Sequence, residues 1–246
     1  MSLALAVLAT IAVGSCLQRV SGMGVGLLGG PVLMFLLGPV EGIMVVNVIA
    51  CVNAAMTTVA VRANIDWQKF GVIAAVMVFG SIPAAVLISL LDTAWLMVVL
   101  GGSLLLALAL VSFGRQYVPE LTGTAPAVGA GVLGGFTNTL AGIAGPVITV
   151  YAQAAQWPQA VYAATLQPIF MVGGFISFAV KTTMGTGSVF TVNGWIWPAA
   201  LSGMVLGIAV GTKLAGIVAH GLARKISLGL AATGATSAIM RGLGGI

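Results

Sequence analysis

The chain has 246 residues, 60% of them hydrophobic and 5% charged, with nine Lys and Arg against four Asp and Glu. A soluble domain carries about a quarter charged residues, so this chain cannot clothe itself in a solvated surface; it reads as an all-α polytopic membrane protein. The formal charge of +5 does not point to nucleic acid, because the basic residues stand mostly singly in short connections, as the positive-inside rule expects.

Leu3–Leu17 is the first apolar limb, ended by Gln18 and Arg19. Val13-Gly14-Ser15-Cys16 loosely resembles a lipoprotein cleavage box, but no Lys or Arg precedes the limb and more membrane sequence follows, so cleavage is not expected. Next comes S-G-M-G-V-G-L-L-G-G-P, Ser21 to Pro31. Five glycines and a proline make a poor continuous helix, and a broken backbone in lipid must find internal partners or line a wet cavity. A short limb, Val32–Leu37, runs to Gly38-Pro39, and Ile43–Val61 is a full span holding Asn47 and Asn53. Phe70–Leu91, kinked at Pro83, and Trp95–Phe113, capped by Asp92-Thr93, are the next spans. Gly114–Thr124 is the longest polar link of this half.

The second half repeats the order: a limb Ala125–Ala141, a break Gly142–Pro146, a short return Val147–Ala155, a span opened by Pro158 and running to Val180, a loop Lys181–Gly194, then Trp195–Val218 and Ile226–Met240. Gly30-Pro31-Val32 echoes Gly145-Pro146-Val147; Pro39 and Pro158 open matching spans, as do Asn64-Ile-Asp-Trp67 and Asn193-Gly-Trp195. The expected architecture is therefore two repeated halves, residues 1–118 and 119–246, each with a Gly-Pro-broken first segment, in one membrane domain of eight to ten limbs. If the short limbs cross, the halves are inverted; if they turn back, the repeats are parallel. The charge split favours inversion. With ten crossings Arg19, Arg62, Lys69, Arg115, Arg224 and Lys225 share one side, against Lys181 and Arg241.

Paired breaks suggest a site where they meet. Helix ends at a break offer free N–H groups and a positive dipole end to an anion. Gly29, Gly30 and Gly145 would let backbone approach it closely, with Pro31 and Pro146 in the first turn of each returning helix. The plain alternative is helix packing through small residues, and that is the expectation for Gly22, Gly24 and Gly26. Gln18, Asn47, Asn53, Asn138, Thr139, Gln153, Thr165 and Gln167 are uncharged hydrogen-bonding groups within or beside apolar segments. They could bind an oxyanion or tie helices together. Arg19 is either a cation for the substrate or a loop residue that sets orientation. Lys213 snorkels, and Cys16 and Cys51 read as packing residues. Glu41, just after Pro39, is the one plausible coupling acid.

G-S-x-x-Q followed by G-M-G-V-G-L-L-G-G-P and Pro39, then G-G-F-T-N-T-L-A-G-I-A-G-P-V-I-T-V-Y ending at Tyr151, resembles the two signatures of the TauE/SafE sulfite exporter family. Ala164-Thr165 and Gly211-Thr212-Lys213-Leu214 fit later elements of that family. The resemblance implies secondary transport of small anions: sulfite, organosulfonates or related sulfur- or carbon-containing acids. It also implies a multi-pass protein of the plasma membrane, bacterial in setting. Arg19 departs from the family, where a small residue is more usual. An anion channel or another permease is the alternative. An enzyme is not expected, since no G-x-S-x-G, H-E-x-x-H or carboxylate dyad occurs. No cofactor or metal site is expected; the expected partners are a small anion and lipid, with self-association left open.

Overall fold

A computed structural model describes residues 2–22, 24–113, 120–188 and 190–245. The joint between the halves near residue 118, with Arg115 and Pro119, lies outside the described residues. The described chain is helical: α1 (Ser2–Ser21), α2 (Val25–Leu37), α3 (Pro39–Val61), α4 (Trp67–Leu90), α5 (Thr93–Phe113), α6 (Ala125–Ala141), α7 (Gly145–Ala154), α8 (Gln159–Thr183), α9 (Ile196–Leu214) and α10 (His220–Leu243). Among them α1, α3, α4, α5, α8 and α9 are long and apolar enough to cross a membrane. α2, with 13 residues, extends roughly 20 Å, short of a hydrocarbon core of about 30 Å.

Local chemistry sets most of the ends. Asp66 caps α4 by accepting the Lys69 backbone N–H at 3.0 Å, while its other oxygen pairs with the Lys69 ammonium at 3.2 Å. Asp92 accepts the Trp95 N–H at 2.9 Å just before α5. Proline stands in the first turn of α3, α6 and α7, where no N–H is needed. The helices then pack through glycines. Gly203, Gly207 and Gly211 bring α9 onto the backbone of α1 at Leu8, Ala12 and Cys16, so these two helices run parallel. α6 lies on α4 in the same sense, Gly131 against Ile73 and Gly135 against Met77. α3 and α8 run antiparallel, with Gly174 on Asn47 and Cys51 while Gly187, just past α8, meets Val40 and Met44. α5 and α10 are also antiparallel, Gly101 facing Ala235 and Gly242 facing Ala94. Small residues that let backbones touch are the usual means of association in lipid, where burial of apolar surface gives no drive. Large apolar side chains such as Leu5, Phe79, Leu106, Phe175 and Leu206 point outward.

Each half opens with a hairpin of unequal arms. α2 folds back along α1, with Val25 near Gly14 and Gly29 near Ile11. α7 folds back along α6, Ile148 against Gly134, and the Ala154 carbonyl accepts the N–H of Leu121, just ahead of α6. In each hairpin the short limb thus runs antiparallel to the long one beside it.

The first turn is not where the Gly-Pro pair placed it. The chain leaves α1 at Ser21 and re-enters helix at Val25, so Gly29, Gly30 and Pro31 lie inside α2. A proline in a membrane helix is tolerated when neighbouring helices re-satisfy the backbone, and Pro31 is packed under Gly234 of α10. What turns the chain is a left-handed glycine: Gly22 at φ +82° in the first hairpin and Gly142 at φ +73° in the second. Each donates its N–H at 2.8 Å to the residue four earlier, Gln18 and Asn138. The turning glycines and their acceptors are thus each spaced 120 residues apart.

Candidate anion site

Gly24, Gly26 and Leu27 from the start of α2, and Ile143, Ala144, Gly145 and Pro146 from the start of α7, line one cavity of about 40 Å³. Space of that size holds about three waters. Gln18 of α1 and Asn138 of α6, the two residues that receive the turning glycines' N–H groups, complete its polar wall. Ala50 and Phe170, each half-way along its helix, close it from α3 and α8.

Glycine permits this convergence. A Cβ on Gly24 would strike the backbone of Gly14 and Gln18, and one on Gly26 would strike the carbonyl of Gly142. Packing and cavity lining are the same property here, so Gly24 and Gly26, expected only to pack, are also part of the wall. Gly29 and Gly30 do not reach it. Their missing side chains make room for Val46 at 3.1 Å and the Ala141 carbonyl at 3.2 Å.

The polar groups are arranged unequally. Gln18 Oε1 accepts the first N–H of α2, from Val25, at 3.2 Å, and its Nε2 is buried with no hydrogen-bond partner among the described residues. Asn138 donates at 3.4 Å to Asn47 Oδ1, while the Asn47 amide reaches Ser177 Oγ at 2.6 Å and the Asn138 carbonyl at 3.5 Å. That network ties α3, α6 and α8 behind the cavity. Among the described residues no charged side chain lines it. A ligand there meets amide groups and the starts of α2 and α7, each worth about half a positive charge, beside Gly142 at the oppositely signed end of α6.

The remaining expected residues spread elsewhere. Arg19 is exposed and donates at 3.2 Å to Thr212 of α9, outside the cavity. Thr165 accepts the Asp66 N–H at 3.0 Å and so anchors the turn before α4. Gln153 lines a different cavity. Asn53, Thr139 and Gln167 are buried, each with one polar atom unpartnered among the described residues, but do not line the central cavity. Gln167 does occupy the place equivalent to Asn47 at the offset of 120. Glu41 sits in the first turn of α3, its carboxylate beside Gly38. It lies nine residues, or roughly 14 Å of helix, from Ala50.

Sequence reasoning missed Ser177 and Lys181. Ser177 is one small hydroxyl in a long apolar span, with nothing local to single it out. Lys181 was assigned to a loop; it belongs to the last turn of α8 and is fully buried, its Nζ without a partner among the described residues. Gly187 folds over it, wedged against Val40 and Met44.

No curated protein and no solved structure matches the chain at a significant level. A family profile does: the one described as Sulfite exporter TauE/SafE matches residues 6–239. The chain, with six membrane-length helices among its described residues and two glycine turns at one cavity, is matched over nearly its whole length and belongs to the TauE/SafE sulfite exporter family of membrane transporters.

Proposed function

We propose that the protein is a secondary transporter of a small oxyanion (sulfite, an organosulfonate or a related acid) in a bacterial plasma membrane, with the central cavity as its substrate site. The observation that carries this is the meeting of two helix N-termini with Gln18 and Asn138 around one cavity. A dehydrated anion needs its water replaced by donors, and amides with helix ends supply them without the desolvation cost of a resident cation. Weakly held, such an ion can also leave, as a carrier requires.

The halves, residues 1–118 and 119–246, are read as inverted repeats. Exchanging α1–α5 with α6–α10 turns the α1–α9 pairing into α4–α6 and α2–α10 into α5–α7, and returns α3–α8 and α5–α10 to themselves. The self-paired helices run antiparallel, which supports a two-fold axis in the membrane plane and alternating access about it. Because Glu41 stands well away from the cavity, a coupled proton is better carried on the substrate than on this carboxylate.

The test is uptake into proteoliposomes. Sulfite entry should saturate and show counterflow; entry that never saturates and shows no counterflow would make the protein a channel. Gln18→Leu and Asn138→Leu should each lower the sulfite rate by roughly tenfold or more, the loss of one hydrogen bond to a charged group. Unchanged rates in both would remove the cavity from the pathway. Glu41→Gln should transport normally under an imposed pH gradient.

A further inference from the structure

A second polar cavity, of about 190 Å³, opens beside the far end of α7. Thr149 and Gln153 of α7, Trp157 in the turn to α8, Tyr162 in α8 and Arg224 in α10 line it. From Gly145 at the central cavity to Gln153 is eight residues, roughly 12 Å along the helix.

Its wall is made of donors. Trp157 is 8% exposed and its indole Nε1 has no hydrogen-bond partner among the described residues. An indole N–H can only donate, so it calls for an acceptor. The ring is fixed by Tyr151, edge to face at 5.6 Å, and by the Lys69 ammonium 4.8 Å from its centre. Thr149 Oγ1 donates to the Gly145 carbonyl at 2.7 Å and so accepts the Tyr162 hydroxyl at 2.6 Å, which fixes both side chains in the wall. Gln153 carries a buried amide oxygen without a partner among the described residues, and turned over the same amide presents its NH₂. Of the nearby charges, Lys69 is paired with Asp66 at 3.2 Å, which leaves the Arg224 guanidinium as the net charge. A positive group, an indole N–H and an amide that can present its NH₂ around one space recognise a compact anion with several acceptor oxygens.

We infer that this cavity is a second oxyanion site, on the side of the membrane that holds most of the basic residues. Its binding chemistry stands independently of the central cavity. Only its role, as the station where substrate is loaded or released, rests on the transport reading. The phosphate of an anionic lipid headgroup has the same chemistry as a free oxyanion, so both are sources to be distinguished.

The experiment is calorimetric titration of the purified full-length protein in detergent with sulfite. Two sulfite sites per chain are expected. Trp157→Phe keeps the ring and removes the N–H, and Arg224→Gln removes the charge; each should weaken one site roughly tenfold and leave the other. Gln18→Leu should do the converse. A weakened site in Trp157→Phe with no change in Gln18→Leu would sink the central site while keeping this one. Two unchanged isotherms in Trp157→Phe and Arg224→Gln, with both variants folded, would overturn the inference. A second readout needs no stoichiometry: the Trp157 indole N–H resonance should shift on sulfite addition, and its failure to move would also overturn it. In nanodiscs, a free-anion site binds sulfite equally in phosphatidylcholine with or without phosphatidylglycerol. A headgroup site loses sulfite to phosphatidylglycerol, and Arg224→Gln abolishes that competition.

Discussion

The two hairpins, α1–α2 and α6–α7, do the same job with different materials. Both turn on a left-handed glycine, Gly22 or Gly142, bonded back to an amide residue four positions earlier. In the first, Gln18 bends its side chain onto the start of α2 and occupies that helix's leading N–H. In the second, no side chain caps α7, and Asn138 is drawn back into a network with Asn47 and Ser177. The proline also differs: Pro146 lies in the first turn of α7, Pro31 inside α2. The comparison shows that the glycine makes the turn and the proline does not. It also shows that the α7 end is the less occupied of the two facing the cavity.

The contact between the hairpins is the place to break this arrangement. Gly26→Ala puts a methyl group into the Gly142 carbonyl, and backbone on both sides cannot yield. The expected loss is about 3 kcal/mol or more, read as a large fall in Tm or failure to recover monodisperse protein. Normal stability would mean the turns do not touch.

A smaller effect separates the two turning glycines. An L-residue in the left-handed region costs about 1–2 kcal/mol. Gly22→Ala has nothing within 4 Å of the added carbon, whereas Gly142→Ala adds a contact with Val46 Cγ1 at 3.2 Å. Both variants should melt lower than the parent, Gly142→Ala by the greater margin; the reverse order would place the tighter turn in the first hairpin. The smallest effect is expected at Arg19→Ala, which removes an exposed bond to Thr212. Stability should change by less than about 1 kcal/mol, and sulfite uptake should keep its rate. A lost rate would return Arg19 to the substrate path.

Part of the candidate cavity's lining is legible in the sequence. Gln18 and Asn138 stood out as amides beside apolar runs, and Gly145 as a close-approach residue at a break; all three line the cavity. Asn47 was found for its polarity and proves to stand behind the wall. Gly29 and Gly30 were misread for a physical reason. A Gly-Pro pair fits the first turn of a helix and, inside a membrane bundle, its interior equally well, so the pair does not locate a break. Arg19, Thr165 and Gln153 were grouped with the site because each is polar near a segment end. Which end faces which cavity depends on packing that no local pattern records.

The sequence by itself determined that this chain lives in lipid and where its spans lie. Hydropathy and the scarcity of charge fix those outcomes locally, residue by residue. The tertiary structure decided where each hairpin turns, that the short limbs pack antiparallel to their long partners, and that their ends share one cavity while Arg224 and Trp157 share another. Those depend on backbones meeting at glycines far apart in the chain, Gly26 with Gly142 and α9 with α1. A glycine carries no side chain to announce its partner.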